Sequence, residues 1–289
     1  MFPSFNPGHV GIQVSLREGL ALAERHGFGG FDAQLSQIHD AVMAHGAAAT
    51  RELFIGHGLR IGCWNVPFMP YQVSDDEWRA WLDRLPPMLA SARDVGASRA
   101  GMWIFSGSDA RPYAENFAFH VARFTPIARL LADHGIRLGL EFIGPETTLR
   151  RFKHPFIRSV KETFELARAI GPNCGQLIDA WHWHASGGTR ADLRGLRRDD
   201  LVHVHVDEAP AGVPLHELED DRRKLPGTTG VIDLDGFMQA LADADYDGPV
   251  TAEPFDREIS ALPAEQAAAI TAKTTRQAVA RARRSGPDR

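Results

Sequence analysis

The chain has 289 residues, 44% hydrophobic and 24% charged, with a formal net charge of −5. That balance suits a soluble globular chain and gives no electrostatic case for nucleic acid or an anionic membrane. Two cysteines (Cys63 and Cys174) without a CxxC pair argue against a disulfide framework, and the opening MFPSFNPGHVGIQ lacks the basic and apolar regions of a secretion signal, so a cytoplasmic location is expected.

Strand-length apolar runs alternate with helical patterns along the chain. The first strand is expected at His9–Val14, followed by a helix over Leu16–His26 that stops at Gly27. A second strand, Gly30–Ala33, precedes a helix over Ile38–His57. The third strand, Leu59–Trp64, leads into a helix over Asp75–Val95, ended by Gly96. The fourth, Arg99–Ile104, precedes a helix over Asn116–His134. The fifth, Ile136–Phe142, is followed by a helix over Ser159–Ile170. The sixth, Gly175–Asp179, precedes a short helix at Ala191–Leu196. The seventh, Leu201–Val206, is separated from the helix Leu234–Ala244 by a long Pro/Gly-rich excursion. The eighth strand is Pro249–Glu253, and Ala264–Arg284 reads as a closing helix before the tail SGPDR.

No hairpin dipeptide joins these strands, and glycines punctuate the helix ends. Such βα units build a parallel sheet. No Gly-rich phosphate turn follows the first strand, so an open dinucleotide-binding sheet does not fit. The expectation is an α/β fold, a single (β/α)8 barrel spanning residues 1–289. Within it the barrel occupies about 8–258, and the closing helix and tail 259–289.

Four of these runs end on a metal-type ligand. Ile136–Glu141 ends on Glu141, Cys174–Asp179 on Asp179, Leu201–His205 on His205 and Pro249–Glu253 on Glu253. In a parallel barrel the C-terminal strand tips converge on one mouth. A carboxylate at the end of a buried strand is costly unless compensated, and a divalent cation held by all four residues is the simplest compensation. Three carboxylates and one imidazole suit Mn²⁺ foremost, with Mg²⁺, Co²⁺ or Zn²⁺ as alternatives. Each residue alone has a plainer reading, a salt bridge at the rim. One ligand-type residue on each of four successive strands is a joint signal.

Around this set, His182 stands three residues after Asp179 and leans over the same mouth. Trp181 and Trp64 are candidates for an aromatic wall against a sugar ring. His203 reads as a core or supporting histidine, and Asp207 as a group that orients a ligand histidine. In the long seventh excursion, Arg223 is the candidate clamp on substrate oxygens, although Arg222 fits the pattern equally.

The strings LEFIGPET, IDAWHWHASGGT, VHVHVDEAPAG, RRKLPGTTGVIDLDGF and YDGPVTAEPF resemble the sugar phosphate isomerase/epimerase group of the xylose-isomerase-like TIM barrels. The resemblance implies one divalent metal on Glu141, Asp179, His205 and Glu253, substrate contacts from His182 and an arginine of the seventh loop, and homo-oligomers. Ketose epimerases of this group place that arginine soon after the histidine, whereas this chain reads DEAPAG there. Arg223 therefore takes the role from its place before LPG. The implied reaction is isomerisation or epimerisation of a small carbohydrate through an enediolate, with Glu141 and Glu253 moving the proton. A lyase acting on a keto-sugar, keto-inositol or 3-keto-glycoside shares that intermediate. A phosphodiesterase of the AP-endonuclease type would need further histidines from early strands. The third strand end reads CWNVPF, and His39 falls in a helical stretch.

Overall fold

The computed structural model describes residues 1–282. Its main sheet is parallel throughout and closes on itself. The first strand, Phe2–Phe5, pairs with the second, Gly30–Phe31, and with the eighth, Pro249–Ala252. The fourth to eighth strands follow in order: Arg99–Ile104, Arg137–Phe142, Cys174–Asp179, Leu201–Val206 and Pro249–Ala252. Ring closure runs through residues 60–65. Arg60–Ile61 pairs with the second strand and Trp64–Asn65 with the fourth, so the third barrel strand is in two pieces. The break at Gly62 has a local cause. A Cβ there would come within 1.7 Å of Asp32 Oδ1, and the Cys63 N–H donates to that same oxygen at 3.0 Å.

The first strand lies upstream of the expected His9–Val14, so the barrel begins at residue 2 rather than near 8. Asn6 caps a short 3₁₀ turn at Pro7–Val10, with Pro7 pre-set for that turn. The alternating apolar pattern of Val10 and Ile12 arises because the segment buries both side chains as it crosses the barrel end. The expected helix 38–57 is two helices, Leu35–His45 and Ala47–Gly56, divided at Gly46, whose φ is +82°. The Asp75–Val95 helix stands as expected. Ser74 and Glu77 form its capping box, and Gly96 ends it in the left-handed conformation. The short 191–196 element is a 3₁₀ turn, Arg190–Leu193.

The closing helix, Ala264–Arg281, buries Ala267, Ala268, Ala272 and Ala278 and packs on the first and eighth strands. The last expected positions of that helix (283–284) and the tail 285–289 lie outside the described residues. At the opposite end from the strand tips, Arg99 and Arg137 donate to the Val202 and Leu201 carbonyls and plug the barrel floor. Cys63 and Cys174 are free thiols. Among the described residues, no helix is long and apolar enough to cross a membrane.

Candidate metal and substrate site

Glu141, Asp179, His205 and Glu253 meet at the barrel mouth. One ligand atom from each lies within 4.8 Å of all the others, and all four residues are buried. Strand period does this: Glu141, Asp179 and His205 point inward near the C-terminal ends of adjacent strands, and Glu253 follows the eighth directly. His205 Nδ1 is 3.1 Å from Glu141 Oε1, 3.3 Å from Glu253 Oε2 and 4.0 Å from Asp179 Oδ2. Asp179 also caps the short helix Ala180–Ala185, accepting from the Trp181 N–H at 2.7 Å.

The arginine in this cluster is Arg223, which is itself buried. Its Nη1 donates to Glu253 Oε2 at 2.7 Å and to Asp179 Oδ2 at 3.0 Å, and lies 3.3 Å from Asp207 Oδ2. Its Nη2 donates to Asp220 Oδ1 at 2.9 Å. Arg222 points away and pairs with Glu219 at the surface, which decides between the two arginines. Arg223 is aimed inward by its neighbours. Glu208 and Lys224 exchange backbone hydrogen bonds, and Lys224 Nζ holds Asp256 at 2.9 Å. The buried Glu208 carboxylate then accepts from the Ala209, Gly230 and Ile232 N–H groups, pinning both ends of the excursion.

His182 Nδ1 accepts from the Gly144 N–H at 3.1 Å, and its Nε2 faces the cluster 3.2 Å from the donor Arg223 Nη2. Only glycine fits at 144, because a Cβ there would lie 2.1 Å from the His182 carbonyl oxygen. Two cavities flank the cluster. One, of about 580 Å³, is lined by Glu141, His182, Arg223, Glu253 and the rings of Trp103, Phe105 and Phe255. The other, of about 590 Å³, is lined by His9, Asp32, Asn65, Trp64, His203 and His205.

The opposed charges push the carboxylates apart. Burial raises the Glu141 pKa to about 8, against the pull of His205 and with Glu253 and Asp179 adding to the rise. Burial acts the same way on Glu253, but His205 foremost and Arg223 with it outweigh it and hold that group well below the usual carboxylate range. Burial would neutralise His205, yet Glu253 and Glu141 keep it protonated.

Not every expected contact is where the pattern put it. Trp181 is fully buried and lines neither cavity. Its indole N–H donates to Asp220 Oδ1 at 3.0 Å, so it supports the loop rather than facing substrate. Trp64 does line a cavity, with its N–H tied to the Ala97 carbonyl at 3.2 Å. Asp207 orients Glu253 instead of a histidine, accepting the Glu253 N–H at 2.9 Å. His203 is buried 3.5 Å from Asp32 Oδ2, and His39 bonds Ser91 Oγ at 2.9 Å, away from the mouth. Sequence reasoning missed His9, Asp220, Glu208 and the Trp103, Phe105 and Phe255 wall. His9 was hidden by its assignment to a strand, and the others come from loops or strand faces with no spacing signal.

The chain belongs to the xylose isomerase-like TIM barrel family, whose sequence profile matches residues 20–278. It is similar to the inosose isomerase of Bacillus velezensis, with 24% identity over 279 residues and 95% of each chain covered. A partial match to the 3-dehydroshikimate dehydratase of Pseudomonas putida is 31% identical over 144 residues, 49% of this chain and 22% of that one. The fold superposes on a xylose isomerase domain protein from Alicyclobacillus acidocaldarius with a TM-score of 0.86 at 26% identity, covering 97% and 99% of the two chains. It also superposes on the zinc-bound IOLI protein with a TM-score of 0.80 at 21% identity, covering 97% and 98%.

Proposed function

We propose that this chain is a divalent-metal-dependent isomerase or epimerase of a keto-sugar or keto-polyol, acting through an enediolate. The observation that carries the reading is the buried tetrad of Glu141, Asp179, His205 and Glu253 opening onto a cavity of small-molecule size. The donor set fits a divalent ion. Asp179, Asp207, Asp220 and Glu253 surround one guanidinium while Glu141 stands against His205, a carboxylate excess that favours a further cation. Mn²⁺, Mg²⁺, Co²⁺ and Zn²⁺ all suit three carboxylates and an imidazole, Mn²⁺ foremost. When bound, the ion supplies a Lewis acid that polarises the substrate carbonyl.

The chain's own residues supply the rest. Glu141 and Glu253, from the fifth and eighth strands, remove and return the proton on the carbon beside the carbonyl. Arg223 donates to substrate oxygens and stabilises the charge that develops on them, and His182, which lines the same cavity, holds the Arg223 guanidinium in place. Trp103, Phe105 and Phe255 exclude water from one side of the cavity. Two bases on two faces produce an epimer, and one base shuttling between carbons produces an aldose–ketose isomer.

Elimination is the second reading, favoured by the match to a dehydratase. There the glutamic acid that has taken the carbon-bound proton would pass it to the departing hydroxyl, which leaves as water as the enediolate collapses to an enone. Incubation with Mn²⁺ and a panel of keto-sugars and inososes in D₂O tests both. Isomerisation or epimerisation incorporates deuterium beside the carbonyl, and elimination produces ultraviolet enone absorbance. Metal-loaded protein that does neither with any member of the panel would sink the proposal.

A further inference from the structure

His9 stands at the barrel mouth with no part in the chemistry above. It sits on the 3₁₀ turn Pro7–Val10, is buried, and faces the 590 Å³ cavity on the far side of Glu253 from Arg223. Its Nδ1 lies 3.4 Å from the Ala252 carbonyl, which only accepts, so Nδ1 carries the proton. This is the support metal-bound histidines ordinarily have: one ring N–H held by a carbonyl, the other nitrogen presented as a lone pair.

That nitrogen, Nε2, is in an unresolved position. The Asn6 amide nitrogen is 3.0 Å from it and must donate, because Asn6 Oδ1 is committed to the Gly8 N–H at 3.0 Å. Glu253 Oε1 is 3.2 Å from the same Nε2. A cation between Nε2 and Oε1 satisfies the carboxylate without adding an N–H.

His205 completes the set. One ligand atom each from His9, His205 and Glu253 lies within 4.8 Å of the others, and all three residues are buried. Glu253 turns its two oxygens to different sides, Oε2 to His205 Nδ1 and Arg223, Oε1 to His9. We propose that His9, His205 and Glu253 form a second divalent-cation position beside the tetrad, with the Glu253 carboxylate bridging the two and the His205 ring, having given up its N–H proton, serving the tetrad through Nδ1 and the second position through Nε2. Two imidazoles and one carboxylate are richer in nitrogen than the tetrad, so this position favours Zn²⁺ over Mg²⁺ or Mn²⁺. It shares His205 and Glu253 with the metal site of the proposed function and rests on that reading to this extent.

Metal stoichiometry is the test, read on the full chain without any turnover assay. Metal-free protein is titrated with Zn²⁺ by calorimetry, and bound zinc is counted by elemental analysis after gel filtration. Wild type is expected to hold two equivalents, and His9→Ala and His9→Gln one each. The glutamine variant keeps an amide in the same place and guards against loss of folding. Co²⁺-loaded wild type should also lose part of its visible absorption on His9→Gln. One equivalent in wild type and in both variants overturns the second position and leaves the tetrad standing. Two equivalents retained in both variants removes His9 from the site and also overturns it. No zinc in wild type overturns both this inference and the metal dependence of the proposed function.

Discussion

Arg223 Nη1 lies 2.7 Å from Glu253 Oε2, with both side chains buried. The contact joins the long seventh excursion to the eighth strand tip and places a permanent positive charge among the carboxylates expected to hold a metal. Replacing Arg223 by methionine keeps much of the volume and removes the charge. Breaking a buried pair from one side costs about 3–5 kcal/mol. Arg223→Met should therefore melt well below wild type in metal-free buffer and recover more than wild type when Mn²⁺ is added. Thermal melts with and without Mn²⁺ check this, and equal metal-induced shifts in the two proteins would contradict it.

Glu253→Gln is isosteric and keeps an oxygen near His205. It removes the base and one ionic ligand, so turnover should fall by at least about 10²-fold. Deuterium exchange beside the carbonyl should fall with it. Wild-type exchange in this variant would take Glu253 out of the proton transfer.

Glu208 holds three backbone N–H groups with one buried carboxylate. Glu208→Ala leaves all three without that acceptor, at about 1–3 kcal/mol for each that stays unpaired. Amide exchange in the 208–232 segment should quicken while the barrel strands keep their protection. Because Arg223 rides on that segment, metal or substrate affinity should weaken as well. Unchanged exchange across 208–232 is the contrary result.

His120 lies beneath Tyr71, Phe124 and Phe156, donates from Nδ1 to the Asn116 carbonyl at 2.8 Å, and has no partner for Nε2. Burial, the main cause, pulls its pKa from 6.5 down to about 4. Below 6.5 the unfolded chain takes up a proton that the folded chain refuses. The stability held by the neutral ring is therefore full above pH ~6.5 and drains at about 1.4 kcal/mol per unit as pH falls toward ~4. His120→Leu lacks this titration. Between pH 7 and pH 5 the wild-type urea midpoint should fall further than that of the variant, and parallel curves would exclude the mechanism.

Much of the barrel was legible in order and period. The apolar runs ending in Glu141, Asp179 and His205 are of strand length and separated by helical patterns, so strand identity and the residue at each tip follow from local pattern alone. The same reasoning failed at the start of the chain. His9–Val14 alternates like a strand, but Asn6 and Pro7 set a 3₁₀ turn there, and the four residues Phe2–Phe5 are too short a run to stand out.

What the amino-acid sequence determined by itself was the parallel α/β architecture and the four ligand-type residues at successive strand ends, because side-chain period and helix punctuation are properties of neighbours along the chain. Tertiary structure decided how those residues are compensated. Arg223 rather than Arg222 enters the cluster because Glu208 and Lys224 fold the excursion back by one backbone pair. Trp181 turns from the cavity to hold Asp220. His9 meets Glu253 only because barrel closure sets the first strand beside the eighth, bringing together groups 244 residues apart in number (253 − 9). Contacts of that kind depend on ring closure and loop packing, which no local pattern encodes.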